Sequence, residues 1–271
     1  MTRGLIAKTI REVWLATLLF ALAMAGLEAL LAYILPKFNE ALSGRWLQLN
    51  FIQGMFKGLL GTEVGSTIDP GVIASIAWVH PVVLALVWAQ GIAFCTRMPA
   101  GEVDHGTIDV LFGLPVSRTR VYALESVVWL VSGLVLVAIG LLGNLIGGWL
   151  SGPQAPLAPG QLIIVVINLY CLYVAVGSVA YLVSSLSDRR GRAVGIVFGV
   201  VLASFLLNSL AQFWGPAKSI AFLSLQNYYR PLLILRETAW PVKDMLVLIA
   251  VSAILWTAGA MIFARRDICT V

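Results

Sequence analysis

Charge is what this sequence has least of. Only 11% of its 271 residues are Asp, Glu, Lys or Arg, where a soluble domain carries about a quarter. Hydrophobic residues make up 60% and the mean hydropathy is +0.93. A soluble fold must turn a mostly polar face to water and has no place for so much apolar surface, whereas a bilayer removes that requirement. Cysteine and histidine are scarce too. Cys95, Cys171 and Cys269 are far apart and no C-x-x-C or Cys/His spacing occurs, which argues against a zinc or redox motif and a disulfide framework. The two histidines, His80 and His105, fall in different segments, so no Ser/His or metal-ligand constellation of an intramembrane enzyme can be assembled. The G-x-x-x-x-G-K-[ST] phosphate loop is absent as well. Basic residues outnumber acidic ones, 18 to 13, but form no basic helix or aromatic-interleaved patch, so nucleic acid is not an expected partner.

What is present is a series of long apolar runs. Crossing about 30 Å of hydrocarbon takes around 20 helical residues. Six stretches reach that length: 13–35, 72–94, 122–150, 161–186, 193–214 and 243–264. All are expected to be helices, because lipid satisfies no open strand edge, and the runs are too long and continuous for barrel strands. The expected class is an all-α integral membrane protein with one transmembrane domain over 1–271. The first run carries an Ala21-Leu22-Ala23 pattern like a cleavage site, but it continues unbroken to Leu35 and reads as a retained anchor.

Charge sets the orientation. Segments 1–12, 95–121, 187–192 and 265–271 hold Arg3, Lys8, Arg11, Arg97, Arg118, Arg120, Arg189, Arg190, Arg192, Arg265 and Arg266. These are eleven of the 18 basic residues, and segments 36–71, 151–160 and 215–243 hold the rest. The bias predicts both termini in the cytoplasm of a cell (inner) membrane. Trp149, Trp214 and Trp240 then mark outer interfaces and Trp14 the inner one. In the outer loop 36–71, Phe38, Leu42, Trp46, Leu49 and Ile52 recur at helical spacing, and Asp69-Pro70-Gly71 breaks the chain before the second span. The outer segment 215–243 mixes polar and apolar residues and is expected to dip into the bilayer. No repeat supports an inverted-repeat transporter.

Small residues predict packing. Gly143 and Gly147, with Gly140 and Asn144 beside them, form a ladder in the third span. Gly191, Gly195, Gly199 and Ala203 form another in the fifth, for use within the bundle or in a dimer. Ser204, Asn208 and Gln212 share a face of the fifth span, and Asn168, Cys171, Ala175 and Ser178 a face of the fourth. Such stripes avoid lipid and serve either interhelical hydrogen bonds or a substrate path. Glu28 is the one carboxylate well inside a span and a candidate on the same path. His80, before Pro81, reads as a hydrogen-bonded packing residue.

The most informative segment is the loop 95–121. Thr107 can cap a short helix to about Leu114, with Ile108, Leu111 and Phe112 on one face. Pro115 stops it and Ser117 can cap the next helix. A short amphipathic helix hung between two spans suits either a protein partner or the headgroup layer. The order acidic residue, Gly-Thr, apolar stretch, Pro-Val-Ser-Arg resembles the corresponding loop of ABC type-2 transporter permeases. The matching residues are Glu102, Gly106, Thr107, Ile108, Asp109, Leu111, Pro115, Val116, Ser117 and Arg118. The chain departs from that pattern at Gly101, where a second acidic residue is frequent, and at His105.

The resemblance covers the whole chain. It implies that Arg3–Glu12 is an amphipathic elbow helix along the inner interface and that 107–114 is the coupling helix. It implies a permease that binds no cofactor itself. ATP and Mg would be held by a separate ATP-binding-cassette ATPase, and a second permease copy would complete the assembly in the lipid bilayer. By the same resemblance Glu102, Gly106, Thr107, Ile108, Leu111, Phe112, Pro115, Ser117 and Arg118 couple to the ATPase; Glu28, Asn168, Ser204, Asn208 and Gln212, as polar residues inside spans, are the candidates for the substrate path. The function implied is export of an amphiphile, drug or lipid-like molecule. An ion-coupled secondary transporter, or a permease handling a metal or sulfur species for another protein, are the alternatives.

Overall fold

The structure, a computed structural model, describes residues 2–42, 70–108, 116–152 and 159–266, together with Gly54, Lys57, Gly58 and Gly113. The helices are α1 Thr2–Leu42, α2 Pro70–Val79, α3 Pro81–Cys95, α4 Arg118–Ser151, α5 Pro159–Leu186, α6 Arg190–Leu210, α7 Gly215–Ile220, α8 Pro231–Glu237 and α9 Val242–Arg265. Six stretches are long and apolar enough to cross a membrane: Arg3–Lys37, Pro70–Cys95, Arg118–Ser151, Pro159–Leu186, Arg190–Leu210 and Val242–Arg265. They coincide with the six apolar runs. Arg97 meets Glu12 near the start of α1, and Arg118 meets Arg266 after the end of α9; this end of the bundle is called the terminal end and the opposite one the far end.

Two boundaries differ from those expected of the sequence. The expected elbow is not a separate element: Arg3–Glu12 continues into the first span as part of one 41-residue helix. At 1.5 Å per residue α1 is about 60 Å long, roughly twice the hydrocarbon thickness. Its charged first turns are not laid aside, because Thr9 and Val13 are buried against the rest of the chain. The fifth span ends at Leu210 instead of 214, since Pro216 in the first turn of α7 starts a new helix there. The second span, expected as one run over 72–94, is interrupted at His80. Pro81 opens α3, and the extended His80 caps it by accepting from the Val82 N–H at 3.3 Å.

α5 is the hub, packed against α3, α4, α6, α8 and α9, while α1 packs most extensively on α4. The α1–α4 seam is a backbone contact. A Cβ at Gly143 would lie 2.2 Å from the Ala25 carbonyl oxygen, and one at Gly147 2.1 Å from that of Ala29. The α4–α5 seam is an exchange of rings into sockets. The Tyr173 ring lies where a Cβ on Gly133 would be, and the Trp129 ring where one on Gly177 would be. The second ladder behaves otherwise: a Cβ at Gly191, Gly195 or Gly199 would meet nothing within 4 Å. That face of α6 packs on nothing among the described residues.

At the far end, residues 215–241 fold back onto the bundle as α7, two 3-10 turns (Ala221–Leu223, Leu225–Tyr228) and α8. The second turn sits among α5, α6 and α9, and α8 packs on α2 and α5. Of the helices expected in 36–71 and over 107–114, residues 36–42 belong to α1, and 43–53, 109–112 and 114 lie outside the described residues.

Candidate coupling site at the terminal end

The loop after α3 is shaped by local backbone chemistry. The Thr96 hydroxyl donates to the Ile92 carbonyl at 2.7 Å and closes α3. The backbone is extended at Met98 (φ −129°, ψ 130°) within a wide turn over Arg97–Gly101, and one helical turn follows at Glu102–Asp104. Gly106 then adopts φ +66°, a conformation open to glycine at little steric cost, which reverses the chain. Ile108, just beyond, is fully buried, so the first residue of the expected apolar face turns into the chain itself.

Four helices hold this loop. Arg97 pairs with Glu12 of α1 and with Glu125 of α4, and the Thr9 hydroxyl donates to Glu125 at 2.6 Å. The Ala100 N–H donates to Ser184 of α5 at 3.1 Å. The Arg190 N–H of α6 donates to Asp104 at 3.2 Å, and its guanidinium to the Ala93 carbonyl at 2.9 Å. Glu102 accepts from the Thr107 hydroxyl and lies 3.5 Å from the Lys8 ammonium. Displacing the loop therefore pulls on α1, α4, α5 and α6 together. The side chains are charged or hydroxylic and mutually bonded, an arrangement suited to transmitting force.

Of the residues expected to couple, Glu102, Gly106, Thr107 and Ile108 lie in this anchored loop. Ser117 caps α4 as expected, accepting from the Arg120 N–H at 3.3 Å, and Arg118 donates to the Arg266 carbonyl. Leu111, Phe112 and Pro115 lie outside the described residues. Sequence reasoning missed Thr9, Glu12, Arg97 and Glu125. The available signal was opposite charges at the bases of the first three spans, where partners are expected within a turn of the membrane edge.

The five path candidates fall in separate places. Glu28 is fully buried and accepts from the Asn144 amide at 2.8 Å. Asn168 donates to the Tyr228 carbonyl at 3.2 Å and accepts from the Arg230 N–H at 3.4 Å. Ser204 accepts from the Leu225 N–H at 2.9 Å, and its carbonyl accepts from Ser224 at 2.7 Å. Asn168 and Ser204 thus fasten the folded-back segment. The Gln212 amide, just past the end of α6, donates to the Asn208 backbone carbonyl at 3.4 Å.

No curated protein matches the chain. The family model described as ABC-2 family transporter protein matches residues 7–268, nearly the full length and including the whole of the loop after α3. With six apolar helices and a loop tied to four of them, this chain belongs to the ABC-2 transporter family.

Proposed function

We propose that this membrane subunit is driven by a separate ATP-binding-cassette ATPase docked on the terminal end, in the cytoplasm. The observation that supports this is the fastening of the 96–108 loop to α1, α4, α5 and α6. Work done on such a loop reaches the bundle as a rigid displacement. A ligand-driven change needs contacts that differ between two states, and a lever pressed by a closing ATPase pair supplies them. The docking segment extends from Glu102 through Leu111 and Phe112 to Pro115, Ser117 and Arg118. A second permease copy completes the bundle, and the open glycine face of α6 is available for contact within the bilayer. The cargo is an exported amphiphile, drug or lipid-like molecule. A secondary transporter would use paired mid-membrane carboxylates; Glu28 is instead paired with an amide.

The test is reconstitution in nanodiscs with the ATPase. Glu102→Ala and Leu111→Asp are expected to lower the permease's stimulation of ATP hydrolysis by about tenfold, within the usual range of coupling between sites. Membrane insertion stays normal. Native stimulation in both variants would remove the loop from the power path.

A further inference from the structure

The far end holds a cavity of about 630 Å³ between α1, α2, α4 and α5. Its wall is mainly apolar, including Leu31, Ile73, Ala77, Leu145, Trp149 and Leu162. Pockets of 300–1,000 Å³ suit drug-sized ligands, and such pockets combine apolar walls with a few placed polar groups. The polar group here is Asn144, which lines the cavity and donates to Glu28. Glu28 is one turn along α1 from the lining residues Leu31 and Ala32 and on the same face.

Glu28 is incompletely paired. It has no exposed surface, and its Oε1 has no hydrogen-bond partner among the described residues. Tyr229 lies within electrostatic range, but its hydroxyl donates to the Trp78 carbonyl at 3.1 Å. Lys37, farther along α1, stacks on the Tyr33 ring at 3.5 Å. Burying a carboxylate without a cation is costly, so a site that holds one beside an apolar cavity is complementary to a greasy cation.

We propose that this cavity binds an amphiphile with an aliphatic body and a primary-amine head, the ammonium pairing with Glu28 beside Asn144. The ammonium supplies the donors that Oε1 lacks, and the chain fills the space walled by Leu31, Ile73 and Leu145. The inference deepens the permease reading by naming a ligand class. The two fail separately, because binding is read without ATP or an ATPase, and the coupling variants leave Glu28 intact.

The experiment is equilibrium binding of radiolabelled dodecylamine to the full chain in nanodiscs, with empty nanodiscs as baseline and dodecanol as competitor. Saturable binding is expected, with dodecanol a weak competitor. Glu28→Gln keeps a hydrogen bond to Asn144 but removes the charge, and is expected to weaken the amine by about tenfold or more, the scale of a charge-assisted hydrogen bond. Ala74→Phe narrows the cavity and leaves Glu28 in place, so it weakens amine and alcohol alike. Binding no greater than to empty nanodiscs overturns the proposal. So does equal competition by dodecanol, unchanged affinity in Glu28→Gln, or unchanged affinity in Ala74→Phe.

Discussion

The two ends of the bundle treat their carboxylates differently. At the terminal end Glu12 and Glu125 meet one guanidinium, and Glu102 has both an ammonium and a hydroxyl. At the far end Glu28 has one amide and an unpartnered oxygen beside a cavity. A network in which every carboxylate has a cation resists change of shape, because moving a member strands a charge. An incompletely paired carboxyl does not lock its surroundings and remains open to an added partner. On the proposed reading the terminal end carries load and the far end accepts a ligand.

The largest effect that would break this contrast belongs to Arg97. Its side chain is 16% exposed and that of Glu125 12%, so Arg97→Met leaves Glu125 with the Thr9 hydroxyl and no cation. The loss is expected near 3 kcal/mol, the lower part of the range for stranding a buried charge. Thermal unfolding of the purified chain in one fixed detergent measures it. A loss below about 1 kcal/mol, the range of exposed pairs, would show that the clamp is solvated and carries little load.

The far-end counterpart is Asn144→Leu, which keeps the branched shape of Asn and lacks the amide. It leaves Glu28 with no hydrogen bond from its known partner. The expected cost is about 2 kcal/mol, that of an unsatisfied buried group, and smaller than that of Arg97→Met because no ion pair is broken. The same unfolding measurement ranks the two. If Asn144→Leu proves the more damaging, the far end is the more tightly built and the contrast is reversed.

Much of the architecture was readable because it rests on one-dimensional signals. Run length gave the six spans, and Gly143 and Gly147 gave the close α1–α4 seam. Ser117 declared its cap. Other features depend on which elements meet, and that information is not periodic. Gly195 and Gly199 have the same spacing as Gly143 and Gly147, yet only the latter pair finds a neighbour among the described residues. The resemblance implied an interfacial elbow over Arg3–Glu12, but that segment is part of one continuous helix and Glu12 has Arg97 as its partner 85 residues away. Asn168 and Ser204 looked like a path because both lie inside spans. Their partners, at Tyr228, Arg230, Ser224 and Leu225, sit in a segment whose mixed composition suggested an inward dip but not which helices it would meet.

The smallest effect concerns Lys8, and it separates the clamp from its outer tether. Its ammonium lies 3.4 Å from Glu12 and 3.5 Å from Glu102, with the side chain 47% exposed. Water and salt screen such pairs, so Lys8→Ala is expected to lower stability by less than about 1 kcal/mol. That small loss should vanish at high salt, while the loss in Arg97→Met persists, because its partner is shielded from solvent. A salt titration of the unfolding temperature in both variants reads the distinction. Equal salt sensitivity would mean that Arg97 and Lys8 belong to one solvated surface, and the terminal end would then be a charged rim without a joint that transmits force.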